Sequence, residues 1–321
     1  MIETIVNTAD ELFSPDAPHG LSLALLVMHR GEVVFERYGT QPDTIFGPGG
    51  PVDADTTLIS WSMAKSITHA AVGVLVADGL LELDRPAAVA GWRGTPKESI
   101  TLQHLLEMRA GLEWVEDYVD DNVSTCIEML YGDGQHDMAA YAAALPVVAP
   151  PGSVWNYSSG TTNIICRLVG DVVGGGRDGM EAFLRDRLFL PAGMTSAIPK
   201  FDTAGTFVGS SYVYATARDF ARFGEMYRND GMVDGRRVLP EGWRDHARTL
   251  STPDDEGFDF GRHWWLWRAQ PGSLACHGYE GQYCVVVPDR ELVVVHLGKS
   301  PVETREELDT RLRAIINSVT A

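Results

Sequence analysis

Apolar runs bounded by turn residues lie near both ends of the chain, and helix-like spacing of apolar residues fills the middle. Residues 21–28 and 33–38 predict one strand hairpin, and residues 281–287 and 291–298 predict a second. Helical spacing recurs over residues 101–108, 137–145, 163–173, 180–189, 216–227 and 243–250, and again over 306–319. The pattern predicts an α+β fold, with an antiparallel sheet built from both chain ends, flanked by helices, and a mostly helical region inserted between them.

The length of 321 residues allows one large domain or two interleaved ones. We assign residues 1–60 and 250–321 to the sheet region and residues 61–249 to the mostly helical region. Because the sheet is assembled from both termini, the two regions are expected to form one interleaved unit.

The helical region opens with a segment that is apolar on nearly every side. From Ser62 to Ala77 the only titratable side chains are Lys65 and His69, which predicts a buried helix. A buried lysine is costly unless it is paired or neutralised, and Lys65 shares a helical face with Ser62, three residues earlier. At the helix start, Ser62 would meet free N–H groups. A serine nucleophile needs a nearby base, which Lys65 could provide, and N–H donors for the oxyanion. The alternative is that Ser62 is a helix cap and Lys65 a surface lysine.

Composition narrows the classes of partner. The net charge of −18 argues against nucleic acid and anionic membranes, because both select for basic patches. The N-terminus lacks the features of a signal peptide and no apolar run reaches about 20 residues, so we expect a cytoplasmic protein without a membrane segment. Without a secretory signal, the four cysteines are expected to be reduced thiols. No Cys-x-x-Cys or His-Glu-x-x-His motif occurs, which argues against zinc and predicts no metal site.

Residues 113–137 show neither helical nor strand spacing. They hold Trp114, Tyr118 and Tyr131 among several acidic residues. Loops of this length are usually functional lids or disordered, and the aromatic residues favour a lid rather than a disordered segment.

Several short motifs, weak singly, are specific in their order and spacing: Ser62-Met63-Ala64-Lys65, Thr101-Leu102-Gln103-His104-Leu105-Leu106 with Gly111-Leu112, Pro151-Gly152, Tyr157-Ser158-Ser159, Pro191-Ala192-Gly193-Met194, Ala215-Thr216-Ala217-Arg218-Asp219, Ala221-Arg222-Phe223-Gly224 and Gly278-Tyr279-Glu280-Gly281-Gln282. Together they resemble the motifs of a known superfamily, the serine β-lactamase-like and penicillin-binding-like hydrolases. The branch most resembled holds class C β-lactamase-like esterases and 6-aminohexanoate-dimer hydrolases, and Ser-x-x-Lys is a motif of related enzymes. The resemblance implies a β-lactamase/transpeptidase-like fold.

The resemblance also implies roles for individual residues. Ser62 matches the nucleophile that becomes acylated, Lys65 the partner that holds or shuttles its proton, and Tyr157 the general base that later serves as an acid. A tyrosine with a pKa of about 10 needs a positive charge nearby to act as a base, and Lys65 could supply it; the alternative for Tyr157 is a buried ring with a satisfied hydroxyl. The oxyanion donors would be the backbone N–H groups of Ser62 and Tyr279, and Ser159 would be a polar neighbour in the pocket.

The third motif of the superfamily is where this chain departs from the pattern. Relatives often carry Lys-Thr-Gly or His-Thr-Gly beside the site, whereas this chain has Cys276-His277-Gly278. The missing lysine argues against recognition of a β-lactam carboxylate, and the Glu-x-x-Leu-Asn motif of class A enzymes is not visible. His277 is either a pocket donor or an ordinary strand histidine, and Gly278 would lie against the substrate. Five aromatic residues are further pocket candidates, although large aromatics more often lie in the core: Trp114, Tyr118, Trp155, Trp264 and Trp265.

The leading hypothesis is therefore a serine hydrolase that cleaves an ester or amide through an acyl-Ser62 intermediate, without metal or cofactor. The alternative within enzymes is a β-lactamase or D-amino-acid peptidase, and the alternative of another class is a non-catalytic ligand-binding protein on the same scaffold. The expected partner is a small-molecule ester or amide, with no nucleic acid and no membrane. The oligomeric state stays open, a homo-oligomer included.

Overall fold

The computed structural model describes residues 1–43, 48–118, 123–252 and 258–320. In chain order its strands are β1 (Leu21–His29), β2 (Glu32–Tyr38), β3 (Thr40–Gln41), β4 (Gly50–Pro51), β5 (Leu58–Ile59), β6 (Ile198–Pro199), β7 (Val213–Ala215), β8 (Met232–Val233), β9 (Arg236–Arg237), β10 (Asp259–Phe260), β11 (Trp265–Leu266), β12 (Leu274–Gly278), β13 (Gln282–Val287) and β14 (Leu292–Lys299). Its helices are α1 (Ile2–Leu12), α2 (Ala64–Ala77), α3 (Leu102–Leu106), α4 (Thr125–Tyr131), α5 (Met138–Ala144), α6 (Ser159–Val173), α7 (Gly176–Phe183), α8 (Ala217–Arg228), α9 (Trp243–Arg248) and α10 (Arg305–Ser318). A π-helical segment, Leu184–Phe189, continues α7.

The main sheet has seven strands in the order β10-β11-β12-β13-β14-β1-β2. Every neighbouring pair is antiparallel, and the two chain ends meet where β1 pairs with β14, for example Leu26 opposite Val295. The predicted hairpins are present as β1–β2 and β13–β14. This confirms the predicted fold class, a sheet built from both ends of the chain.

Both faces of the sheet are buried, so its central strands are apolar without alternation. Along β1, Leu25 and Val27 face a core closed by α1 and α10. Leu26 faces the opposite core, which also holds Ile67 of α2 and Ile165 of α6. Because this second core is shared by strands and helices, α2 lies in the interior, with every residue from Ala64 to Leu75 buried. The buried helix predicted from residues 62–77 is therefore confirmed from Ala64 onward, whereas Ser62 and Met63 lie in a 3₁₀ turn that precedes it.

The structure corrects three local expectations. The chain begins with α1, which the spacing did not predict. Helix α6 begins at Ser159, earlier than the apolar pattern indicates, because the Ser158 side chain caps it by accepting the N–H of Thr161. The prediction of an irregular segment over residues 113–137 is wrong for α4, which is capped by Ser124 and whose buried face includes Met129. Residues 119–122 of that segment lie outside the described residues.

The assignment of two interleaved regions stays a prediction. The core that contains α2 holds residues of both the sheet region and the helical region. Within the described residues, none of the helices combines the length and the apolar character that a membrane crossing requires.

The close approach of α8 to the sheet can be tested with a matched pair of glycines. A Cβ added at Gly224 of α8 would lie 2.7 Å from Val293 Cγ1 and 2.8 Å from Cys284 Sγ, whereas one at Gly170 of α6 would meet nothing within 4 Å. We expect Gly224→Ala to lower the free energy of unfolding by about 1–3 kcal/mol, because overpacking outweighs helix propensity. Gly170→Ala should raise it by up to about 1 kcal/mol. Urea unfolding of both variants checks this; equal effects would contradict the packing described.

Candidate active site

Ser62 lies in a tight turn between β5 and α2. Ser60 fixes the entry to this turn: its N–H donates to Val213 O at 2.8 Å, and its Oγ accepts the N–H of Val213 at 3.0 Å. The next residue, Trp61, has a φ of 43°, in the left-handed region that a bulky residue rarely adopts. A short 3₁₀ turn, Trp61–Met63, then leads into α2 and leaves Ser62 half-buried. Strained backbone of this kind persists only where its surroundings enforce it, and it is common at active sites.

Lys65 lies one helical turn beyond Ser62, with 2% of its surface exposed. Its ammonium group donates to Ser62 Oγ at 2.9 Å, to Ser159 Oγ at 2.9 Å and to Ser210 O at 3.0 Å. These three acceptors match the three protons of an ammonium group. In the part of the chain that the structure describes, no carboxylate forms a direct ion pair with Lys65. The lysine is therefore buried and satisfied by neutral oxygens.

Tyr157 enters the site from the loop that precedes α6. Its ring centroid lies 4.8 Å from Lys65 Nζ, and its ring packs edge-on against Phe260 and tilted against Trp265. Burial raises the pKa of Tyr157, the positive charge of Lys65 opposes that rise, and the carboxylate of Glu116 adds to it. The structure thus brings Ser62, Lys65 and Tyr157 together, although they come from two distant parts of the chain. Their catalytic roles stay predictions.

Strand β12 passes directly beside the Ser62 turn. A Cβ added at Gly278 would collide with the carbonyl oxygen of Ser60, so only glycine allows this approach. Tyr279 follows at the end of β12, with its ring edge-on to Trp61 at 5.9 Å and tilted toward Tyr118 at 5.2 Å. The strand therefore brings the backbone of Tyr279 to the same cleft as Ser62. The assignment of their N–H groups as oxyanion donors stays a prediction.

This contact leads to a test of the site geometry. We expect Gly278→Ala to lower kcat/KM by about a hundredfold, because β12 must move away from Ser60 and the N–H of Tyr279, the predicted oxyanion donor, moves with it. Hydrolysis kinetics on whichever ester or amide the wild type cleaves will measure this. Gly170→Ala, the same change at an open position, serves as the control and should retain wild-type rates. Full activity of Gly278→Ala would contradict the proposed closeness.

A cleft of about 470 Å³ opens over these groups. Four of the predicted pocket residues line it, namely Tyr118, Trp265, His277 and Gly278. Ser159 lies behind Lys65 and is fully buried. The remaining lining carries charges of both signs, with the acidic residues Asp117, Glu280 and Glu303 and the cationic Arg305.

Three aromatic candidates are not brought to the cleft. Trp264 lies in the core with none of its surface exposed and packs on Phe223 and Tyr227. Trp114 also belongs to the core, and its indole N–H donates to Glu116. Trp155 is half-buried and packs against the ring of Tyr157 and the side chains of the 258–260 segment. Trp114 and Trp155 therefore contact residues of the site without lining the cleft, whereas Trp264 is a core residue.

Sequence reasoning missed Arg305, the first residue of α10. Its Nη2 lies 2.8 Å from His277 Nδ1, and its Nε donates to Tyr283 OH at 3.0 Å. Burial and the neighbouring guanidinium lower the pKa of His277 well below its usual value, so this histidine is neutral. The cleft therefore has a cation although the third motif lacks its lysine. No local signal marks Arg305, because only the packing of α10 on the sheet places it there.

Glu116 was also missed, although it lies in the segment expected to form a lid. Its carboxylate accepts the hydroxyl of Ser159 at 2.5 Å and the backbone N–H of the same residue at 2.8 Å. It also accepts the indole N–H of Trp114 and the hydroxyl of Tyr118, each at 2.6 Å. The clustering of Trp114, Glu116 and Tyr118 in the sequence was the available signal.

The fold and the cleft define a protein of the β-lactamase/transpeptidase type. In agreement with this, the family model described as Beta-lactamase matches residues 10–318, nearly the whole chain. The chain belongs to the Beta-lactamase family.

Individual relatives are more distant. The chain is similar to 6-aminohexanoate-dimer hydrolase from Paenarthrobacter ureafaciens, with 26% identity over 301 residues that cover 87% of this chain and 72% of that protein. Among solved structures, a Bacillus anthracis protein whose proposed identity is also 6-aminohexanoate-dimer hydrolase superposes with a TM-score of 0.80 at 21% identity, covering 94% of this chain and 81% of that one. A family VIII carboxylesterase superposes with a TM-score of 0.73 at 14% identity, covering 97% of each chain. At these identities the solved structures establish the fold alone.

Proposed function

We propose that this protein is a serine hydrolase of the esterase or amidase type that works through an acyl-Ser62 intermediate. The observation that carries the proposal is the contact of Lys65 Nζ with Ser62 Oγ at 2.9 Å, in a buried site that also holds Tyr157. Membership of the Beta-lactamase family and the name of the Paenarthrobacter relative support the same class of reaction.

In the acylation step, Ser62 Oγ attacks the substrate carbonyl and its proton passes to the amine form of Lys65. The oxyanion that forms would be held by the N–H groups of Ser62 and Tyr279. Tyr157 donates its proton to the leaving oxygen or nitrogen as the ester or amide bond breaks, and it is reprotonated from Lys65. The raised pKa of Tyr157 suits this role, because the hydroxyl keeps a proton to donate at neutral pH.

In the deacylation step, a water molecule attacks the acyl-Ser62 carbonyl and gives up a proton to the same pair of groups. The second tetrahedral intermediate then collapses, Ser62 Oγ leaves and takes that proton, and the acid product is released. Every proton is returned, so the cycle needs no other reactant than water.

Two further parts of the proposal concern the cellular location and the oligomeric state. The four cysteines, all among the described residues, are unpaired and buried, which supports a reducing, cytosolic location. A homo-oligomer stays a proposal; a structural neighbour with a TM-score of 0.70, a penicillin-binding protein homologue from Pyrococcus abyssi, is octameric.

A substrate panel tests the function. We would measure turnover of p-nitrophenyl esters, the linear 6-aminohexanoate dimer and the β-lactam nitrocefin. Hydrolysis of an ester or of the linear amide at a higher kcat/KM than nitrocefin is the expected result. Turnover of nitrocefin alone would favour the β-lactamase alternative, for which Arg305 supplies a cation in the cleft. Binding without any turnover would favour the non-catalytic alternative.

A further inference from the structure

The carboxylate of Glu116 is linked to Lys65 through a single hydroxyl. Ser159 Oγ accepts from Lys65 Nζ at 2.9 Å and donates to Glu116 Oε1 at 2.5 Å. Since a path of two such bonds joins them, the ammonium nitrogen and the carboxylate oxygen lie within about 5.4 Å of each other. The four donors around Glu116 fill the lone-pair sites of a carboxylate, so its position is fixed.

This link determines which way the Ser159 hydroxyl points. A hydroxyl has one proton, and that of Ser159 is committed to Glu116. Ser159 can therefore meet Lys65 only as an acceptor. The second contact, Ser210 O, is a carbonyl and also accepts only. Two N–H groups of Lys65 are thus committed, and its remaining position points at Ser62 Oγ.

We infer that Glu116 is a positioning residue for the reaction proposed above: by orienting the Ser159 hydroxyl, it directs the lone pair of the Lys65 amine at Ser62. The amine has two N–H groups, and these are taken by Ser159 and Ser210. Without the carboxylate, Ser159 is free to turn its proton toward Lys65, and the lone pair is then shared between two hydroxyls. The inference rests on the proposed function, because the direction of the Lys65 lone pair affects the rate only if Lys65 removes the proton of Ser62.

The charge of Glu116 has a second consequence, on the pH dependence. The titratable groups that face it are Lys65 of α2, Tyr157 of the loop before α6, Tyr118 of its own segment and Cys126 of α4. The carboxylate raises the pKa of Tyr157, so it disfavours a phenolate beside Ser62. Because Lys65 and Tyr157 share the proton of Ser62 in the proposed cycle, removal of this charge lets the active form of the site appear at lower pH.

The experiment compares Glu116→Gln with Glu113→Gln, which removes a charge from an exposed position of the same segment. The second-order rate constant for phosphonylation of Ser62 by a fluorophosphonate is measured against pH, with far-UV circular dichroism to establish folding. For Glu116→Gln we expect the rate constant on the high-pH plateau of the pH–rate profile to fall about tenfold. The acidic limb of the same profile should move to lower pH by about one unit. Glu113→Gln should match the wild type. Glu116→Asp, which keeps the charge, should retain the wild-type limb.

A double-mutant cycle separates positioning from a merely structural role. Because Glu116 acts through Ser159, the double variant should react at a phosphonylation rate within about twofold of that of Ser159→Ala alone. Fully additive losses, or an unmoved acidic limb in folded Glu116→Gln, would overturn the inference while leaving the hydrolase assignment intact. A wild type that is neither labelled nor active would overturn both.

Discussion

Ser62→Ala should lower kcat/KM by at least about a thousandfold on any substrate that the wild type hydrolyses. The reason is chemical, because the substitution removes the hydroxyl that faces the cleft and accepts from Lys65 Nζ at 2.9 Å. Steady-state hydrolysis of an activated ester measures the effect. The fold should be unaffected, since Ser62 is half-buried and alanine fits the same turn.

The matched control for this variant is Ser153→Ala. Ser153 is exposed, and its hydroxyl donates only to Pro150 O in its own turn. Its rates should stay within about twofold of the wild type, as expected for a surface substitution. If Ser62→Ala retained most of the activity, another group would have to be the nucleophile.

Lys65→Met should lower kcat/KM by a similar factor, about a thousandfold, while leaving the protein folded. Methionine matches the unbranched shape of the lysine stem but can neither accept the proton of Ser62 nor return it to Tyr157. Thermal unfolding should occur within about 4 °C of the wild type, because the loss of hydrogen bonds is offset by the removal of a buried charge. Hydrolysis kinetics and calorimetry together measure the two effects.

The control for this variant is Lys200→Met, which removes an exposed lysine. It should change neither activity nor thermal stability appreciably. A strongly destabilised Lys65→Met protein would show that the lysine is a structural element, and a fully active one would exclude it as the proton acceptor.

The fold was largely predictable because its main signals are local. The two hairpins follow from apolar runs separated by turn residues, and the buried α2 follows from a segment with two titratable residues. Helix α4 was not predictable in the same way, since its apolar residues Cys126, Met129 and Leu130 cover one short face among acidic neighbours. Its burial depends on contacts with other helices, which a local pattern does not show.

The candidate site was predictable only where its parts are close in sequence. The spacing of Ser62 and Lys65 places them on one helical face, and their contact follows from helix geometry. The approach of Tyr157 to Lys65 came from the resemblance, because no local property of the sequence links two residues so far apart. Glu116 and Arg305 belong to no such motif, so only the folded chain shows that Glu116 contacts Ser159 behind Lys65 and that Arg305 lines the cleft.

The central claim is that the Ser62 hydroxyl is made nucleophilic by the buried Lys65. Its most direct test is the mass of the intact protein after brief exposure to a fluorophosphonate, followed by peptide mapping. We predict a single added phosphonyl group, located on the peptide that contains Ser62 and absent from Ser62→Ala. Equal labelling of Ser62→Ala, or an adduct that maps to another residue, would contradict the account.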